Sequence, residues 1–474
     1  MTTLIRTALL AATLAGMSAL DAGTLPQAET LAAVPSFGAV TVYRPAGLPK
    51  QVVLFISGDG GWNLGVVGMA NRLREAGALV AGIDIRAFRR SLEASSDCAY
   101  PAGALEELSR ALQLRYRLPA YQRPVLVGYS SGATLVYAAL AAAPPETFAG
   151  AISLGFCPDI ELRTPLCQMR GLRAAKRPRG VGFDLSPFPA STVPWMVLQG
   201  EVDQVCDPEA TRTFAGRTGA TRVFSLPGVG HGFGVEARWV PQFMAAYREI
   251  GERRATREGA PAIPAPVADL SLVEVDARAA PGDDRLAIVL TGDGGWADID
   301  RSIAGGLAAA GVPVVGWSSL GYYWTPRTPE TAARDLERII DHYASSWQKA
   351  RVVVVGYSFG ADVAPFLVNR LSEPARRRVA GVVLLGASEN AAFEFHLASW
   401  LGGGGEARYP TVPEIERLPV PVTCVSGADE PESVCGRLTG ALVRSASVGR
   451  GHHFGGDYAR VVQLILAGSG KPGQ

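Results

Sequence analysis

The sequence predicts two tandem α/β domains, each a mostly parallel sheet with helices on both faces. Three observations carry that expectation. A strand–turn–helix pattern around a serine occurs twice, as PVLVGYSSGATLVY (Pro124 to Tyr137) and VVVVGYSFGADV (Val352 to Val363). A second pattern, an apolar strand ending in Gly-Asp-Gly-Gly-Trp, also occurs twice, in QVVLFISGDGGW (Gln51 to Trp62) and RLAIVLTGDGGW (Arg285 to Trp296). Asp59 and Asp293 are 234 residues apart (293 minus 59), and Ser130 and Ser358 are 228 apart (358 minus 130). A near-constant offset between two different motifs is the mark of an internal duplication with small deletions.

The elements follow in order. MTTLIRTALLAATLAGMSALDAG opens with one cation, Arg6, followed by an apolar run from Ala8 to Leu20 and small residues around Ala22. That run is too short to span a bilayer well and fits a cleaved signal peptide over residues 1–22. Within the first domain, 35–249, the strand-like stretches are QVVLFI, LVAGIDI, PVLVGY, GAISLGF and WMVLQG, and Leu105, Leu108 and Leu112 give a helical stripe. Residues 250–268 are charged, then rich in Ala and Pro, and read as a linker. In the second domain, 269–470, the strands are RLAIVL, VPVVGW, VVVVGY, GVVLLGA and PVTCVSG, with Leu336, Ile339, Ile340 and Tyr343 at helical spacing. Short β-branched runs without polar alternation, between amphipathic helices, imply a parallel sheet covered on both faces.

Composition excludes several function classes. Lys+Arg 45 against Asp+Glu 44 leaves no net field to attract nucleic acid or anionic membrane in general. The six cysteines divide evenly, Cys98, Cys157, Cys167 and Cys206 in the first half and Cys424 and Cys435 in the second. Even numbers suit disulfides in an oxidising compartment, and Cys424–Cys435 is the simplest pair to propose. The other four allow three connectivities. There is no C-x-x-C pair, so neither a metal nor a cofactor is expected.

Both serines sit in G-x-S-x-G, the nucleophile elbow, in its strand-to-helix setting. This makes each domain α/β-hydrolase-like. An activated serine needs a base, and the base an orienting acid, in the chain order Ser, acid, His. The first domain offers Ser130, Asp203 and His231; the second offers Ser358, Asp429 and His452. Glu430 is the alternate acid and His453 the alternate base, with GHGF aligned on GHHF to favour His452. The Gly-Asp-Gly-Gly-Trp loops, with Asp59 and Gly60 or Asp293 and Gly294, occupy the place of an oxyanion loop, and the N–H groups of Ser131 and Phe359 are the other donors. Asp59 and Asp293 either cap a helix or bind a cationic part of the substrate. Asp362, Glu394 and His396 are further candidates for contacts to such a substrate, and Thr134 stands where Asp362 would be in the first copy. The aromatic stretches Ser318 to Glu330 and Glu389 to Gly405 are expected to form a pocket wall or a packed cap.

GYSFGADV, the paired GDGGW loops, the GHHFGGDY ending and the duplicated layout resemble the VirJ/AcvB family of bacterial virulence proteins, most closely from Leu286 to Tyr458. The two-copy length resembles the AcvB type. The resemblance implies export to the periplasm, a link to type IV secretion components, and a serine hydrolase that removes the lysyl group from lysyl-phosphatidylglycerol at a membrane surface. It places the family's serine at Ser358. The competing expectation is a non-catalytic periplasmic escort protein for secreted substrates, built on a hydrolase scaffold.

Overall fold

The computed structural model describes residues 28–95, 97–258, 263–277, 283–395 and 409–468. The expected signal peptide and His396 lie outside the described residues.

The first half forms an eight-stranded sheet. Its strands are β1 (Ala28–Val34), β2 (Gly38–Tyr43), β3 (Gln51–Ile56), β4 (Ala78–Ile83), β5 (Val125–Tyr129), β6 (Gly150–Leu154), β10 (Trp195–Gly200) and β11 (Thr221–Leu226). Between β6 and β10 lie the short strands β7 (Asp159–Ile160), β8 (Ala174–Lys176) and β9 (Phe183–Leu185), which pair antiparallel among themselves. The main sheet runs β1-β2-β4-β3-β5-β6-β10-β11, parallel except where β1 and β2 join it. This is the α/β-hydrolase strand order. Every residue of β3, β4, β6 and β10 is buried. That accounts for runs such as VVLFI and ALVAGI, which have no polar alternation because neither face meets water.

Two apolar cores lie on opposite faces of this sheet. Phe37, Leu105, Tyr137 and Trp195 fill one. Val66, Met69, Phe243 and Ile250 fill the other. The covering helices include Leu64–Glu75, Pro101–Arg115, Ser131–Ala142 and Val240–Glu258. The last of these corrects the expected linker. Ile250 is fully buried in the core, and the helix it belongs to runs on to Glu258.

The second half repeats the plan without the outermost N-terminal strand. Its strands are β12 (Leu272–Val275), β13 (Arg285–Leu290), β14 (Val314–Trp317), β15 (Arg351–Tyr357), β16 (Val379–Leu385), β19 (Val422–Ser426) and β20 (Val443–Ser447), with a small pair β17 (Asn390–Ala391) and β18 (Tyr409–Pro410) set apart. The sheet order is β12-β14-β13-β15-β16-β19-β20, with only β12 antiparallel. No helix among the described residues is long and apolar enough to cross a membrane.

Three disulfides staple the chain: Cys98–Cys167, Cys157–Cys206 and Cys424–Cys435. The last is the pair expected from sequence. The first two resolve the three open connectivities in favour of crossing loops, one of which ends beside a candidate catalytic acid.

Candidate active site

Both elbows form as their sequences require. Ser130 (φ 56°, ψ −123°) and Ser358 (φ 52°, ψ −119°) sit between strand and helix in a region of backbone space that side chains rarely occupy. The flanking glycines explain the motif sterically. A Cβ on Gly128 would lie 2.2 Å from the Gly132 carbonyl oxygen, and one on Gly356 would lie 2.3 Å from that of Gly360. A Cβ on Gly132 or Gly360 would in turn strike the carbonyl ending β3 or β13, at 2.4 and 2.3 Å. The turn closes only when these Cβ atoms are missing.

In the first domain the three expected side chains meet. Ser130 Oγ lies 2.9 Å from His231 Nε2, and His231 Nδ1 lies 2.9 Å from Asp203 Oδ2. A carboxylate only accepts, so the Nδ1 proton is donated to Asp203, and Nε2 is left to accept the serine hydroxyl. Asp203 is 6% exposed, and its other oxygen accepts from the backbone N–H groups of Val205 (2.9 Å) and Cys206 (3.0 Å). Gln199 Nε2 donates to Oδ2 at 3.1 Å. The Cys157–Cys206 disulfide thus fixes the segment that holds the acid. Ligand-type atoms of Asp203, Cys206 and His231 lie within 4.8 Å of one another, but Cys206 Sγ is in the disulfide and the other two are engaged with each other. A groove of about 410 Å³, lined in part by Asp59, Gly60, Met69, Tyr129, Ser130 and His231, opens onto this serine.

The second domain corrects one assignment. His452 Nδ1 donates to Glu430, not to Asp429. Asp429 points outward, accepting from Gly451 N (2.6 Å) and Arg450 Nε (3.0 Å). The reason lies in the loop after β19. Glu430 Oε2 accepts the Gly427 N–H at 2.9 Å, which turns the longer side chain back under the imidazole. Glu430 stands three residues after Gly427, as Asp203 stands three after Gly200, so it holds the equivalent position with one methylene more of side chain. Among the described residues no hydrogen bond joins Ser358 to His452, so the second site is less closed than the first. His453 packs, with Nδ1 3.3 Å from the Tyr357 hydroxyl. Burial and the neighbouring His452 lower its pKa.

Tyr129 and Tyr357, the variable position of each elbow, do the same work in both halves. Their hydroxyls donate to the carbonyls of His231 (2.9 Å) and His452 (3.4 Å), and their rings lie 5.8 and 5.3 Å from those imidazoles. The repetition of Gly-Tyr-Ser in the sequence was the available signal.

The Gly-Asp-Gly-Gly-Trp loops lie against the serines. A Cβ on Gly58 would come within 3.0 Å of the Ser130 Cβ, and one on Gly292 within 3.4 Å of the Ser358 Cβ. The tryptophan anchors each loop by lying over a strand glycine. A Cβ on Gly82 would sit 2.1 Å from Trp62, and one on Gly316 would sit 2.2 Å from Trp296. The loop aspartates cap no helix. Asp59 accepts from Arg89 and Asp293 from Arg110, each at 3.1 Å. Sequence reasoning missed both arginines. Asp59 and Gly60 line the groove at Ser130, and Ser131 and Phe359 begin the helices that follow the two serines.

Asp362 is committed elsewhere. Its two oxygens accept from Ser388 N (2.6 Å) and Ser388 Oγ (2.8 Å), and burial pushes its pKa up to about 7. Thr134 does the corresponding job in the first copy by donating to the Cys157 carbonyl at 2.8 Å. The position therefore braces the loop after β6 or β16, and does not reach out to a substrate cation. The aromatic stretch Ser318 to Glu330 is largely a packed cap, with Tyr322, Tyr323 and Trp324 all buried. Glu394 lies between Phe393 and Phe395, and the Phe395 ring packs on Phe359 of the elbow at 5.1 Å.

A model of the family described as "Bacterial virulence protein (VirJ)" matches residues 50–153 and 284–471, more than half of the chain. No curated protein matches the sequence. Among solved structures, Est1E from Butyrivibrio proteoclasticus is 15% identical, covering 48% of this chain and 100% of its own, with a TM-score of 0.33. An α/β serine hydrolase without lid from Xanthomonas campestris is 23% identical, covering 50% of this chain and 96% of its own, at 0.31. The esterase domain of a Rhodothermus marinus protein is 17% identical, covering 44% and 91%, also at 0.31.

Proposed function

Given that the chain belongs to the VirJ family of bacterial virulence proteins, we propose that it is a serine ester hydrolase with two acyl-transfer sites. The observation that carries this reading is the continuous Ser130–His231–Asp203 hydrogen-bond chain at a strained elbow. In the reaction, Ser130 Oγ attacks the ester carbonyl while His231 Nε2 takes its proton. The tetrahedral oxyanion is met by the Ser131 N–H and the glycine loop. Collapse expels the alcohol, which leaves with the proton from Nε2. Water, deprotonated by the same imidazole, then attacks the acyl-serine, releasing the acid and restoring the serine. Asp203 holds Nδ1–H throughout and stabilises the imidazolium. Ser358, His452 and Glu430 form the second site, in which the serine–histidine contact closes as substrate binds, since catalytic hydrogen bonds often tighten only in the complex.

The substrate we propose is the lysyl ester of lysyl-phosphatidylglycerol, presented at the periplasmic face of a membrane. Family membership supports this choice, and the three disulfides support an oxidising compartment. The assay is hydrolysis of that lipid by wild type, Ser130→Ala, Ser358→Ala and the double variant, alongside fluorophosphonate labelling. Labelling of either serine with loss of hydrolysis in the double variant is expected. If neither serine labels, the hydrolase reading fails and a binding or escort role takes its place.

A further inference from the structure

The two glycine loops are held by arginines of different origin. In the first site Asp59 accepts from Arg89, which lies on the helix Ile85–Glu93 of the same domain. The 234-residue offset of the loops carries Arg89 to Tyr323. The register is independently fixed by the glycines. A Cβ on Gly61 would meet Arg86 first, and one on Gly295 would meet Leu320, again 234 residues on. The second domain therefore has a buried tyrosine, 1% exposed, where the first has its loop-holding arginine.

The missing cation comes from the other domain. Arg110, on the helix Pro101–Arg115 of the first domain, donates from Nη1 to Asp293 at 3.1 Å and from Nη2 to Glu106 at 2.5 Å. Its guanidinium is also the group nearest to a Cβ built on Gly294, at 3.8 Å. The Arg110 side chain is 18% exposed while Asp293 is 62% exposed, so the arginine is the fixed partner and the loop the tethered one. Other contacts hold the same interface. Trp324 Nε1 donates to the Leu118 carbonyl at 2.8 Å, the Tyr121 and Trp324 rings are 5.3 Å apart, and Arg170 meets Asp298 at 3.5 Å.

We propose that Arg110 is a positioning residue for the oxyanion loop of the second domain, so that the Ser358 site is complete only in the tandem chain. This rests on the reading of Ser358 as a nucleophile for its catalytic consequence, but not for the tether itself. A loop with three glycines in five residues has broad backbone freedom, and oxyanion donors act only when held in place. A displacement on the order of 1 Å can cost about 10²-fold in rate.

The experiment uses the full chain with Arg110→Ala, Arg110→Lys and Asp293→Asn, and the first site of the same molecule as internal control. Two quantities are measured. One is amide hydrogen exchange of the Gly292–Trp296 peptide relative to Gly58–Trp62. The other is the ratio of fluorophosphonate labelling rates at Ser358 and Ser130. In Arg110→Ala, exchange of the second loop should rise about tenfold and the labelling ratio should fall about 10- to 100-fold, with Arg110→Lys in between. Arg110→Ala combined with Asp293→Asn should be no worse than the more severe single variant. Unchanged exchange of the second loop overturns the proposal, as does equal loosening of both loops. Loosened exchange with no Ser358 labelling in wild type upholds the tether and instead refutes Ser358 as a nucleophile.

Discussion

Replacing Glu430 by Gln separates the two candidate acids of the second site. Glu430 holds two groups at once, His452 Nδ1–H on Oε1 and the Gly427 N–H on Oε2 at 2.9 Å. A glutamine cannot satisfy both. With its amide oxygen on Gly427, its NH₂ faces Nδ1, which must then accept, and the proton moves to Nε2, where it blocks uptake of the serine proton. With the oxygen on the imidazole, two donors confront each other at Gly427. The same carboxylate-to-amide change in a serine protease triad lowers kcat about 10⁴-fold. That is a barrier increase of about 5.4 kcal/mol at 1.36 kcal/mol per decade. Asp429→Asn keeps an oxygen for Gly451 N and loses only the pairing with Arg450, whose side chain is 82% exposed. Its effect should be under tenfold, since exposed ion pairs contribute little. The assay is the rate of Ser358 phosphonylation, read by peptide mass in each variant. Equal losses, or a larger loss in Asp429→Asn, would refute the assignment of Glu430.

Three further outcomes follow from the packing. Asp300 is 1% exposed, its Oδ1 has no hydrogen-bond partner among the described residues, and burial pushes its pKa from 3.8 up to about 7. The folded chain thus keeps a proton that the unfolded chain loses, and stability drains away as pH rises from about 4 through about 7. Asp300→Asn should raise the melting temperature at pH 8 by removing a penalty of up to about 4 kcal/mol, and should change little at pH 4; a gain of equal size at both pH values would contradict the burial argument. Gly360→Ala should destabilise the second domain and silence Ser358, because the new Cβ meets the Leu290 and Thr291 carbonyls at 2.3 and 2.7 Å; calorimetry together with Ser358 labelling checks it, and wild-type behaviour in both counts against the steric account. Removing Cys424–Cys435, 11 positions apart, should cost about 3 kcal/mol in urea unfolding, and removing Cys98–Cys167, 69 positions apart, about 4 kcal/mol in the chain-entropy model; an unchanged midpoint in either double variant refutes that ordering.

The fold was legible because its signals are local. Runs such as VVLFI and VVVV can be satisfied only by a strand covered on both faces, and the repeated motifs fixed where each strand must end. The linker was misplaced for the same reason. Charge along Glu252 to Glu258 reads as solvent, and the sequence there carries no local sign that Ile250, just before it, is buried against the sheet. Composition registers the run of charges and not the buried residue that precedes it.

At the site, what was legible was what the chain order dictates, and what was missed depends on reach. Serine and histidine were placed by motif and by alignment of the two copies. The acid was not, because Asp429 and Glu430 are adjacent and the pairing of Asp with Asp was preferred over position: the acid that meets the histidine stands three residues after Gly200 in one copy and three after Gly427 in the other, whichever carboxylate it is. Asp362 shows the opposite error. An acid beside a nucleophile suggests a substrate contact, yet both its oxygens are used on Ser388, and a hydroxyl, Thr134, serves in the same place in the first copy. A position that accepts either an acid or a threonine is selected for bracing the neighbouring loop. The arginines lay furthest from view. Arg89 and Arg110 belong to different helices with no shared motif, and the pairing of Arg110 with Asp293 crosses 183 residues and two domains. Comparing the copies does reveal its counterpart, since a loop aspartate whose arginine has become Tyr323 must find another cation or remain unpaired beside a developing negative charge. The duplication therefore left the second site dependent on the first domain.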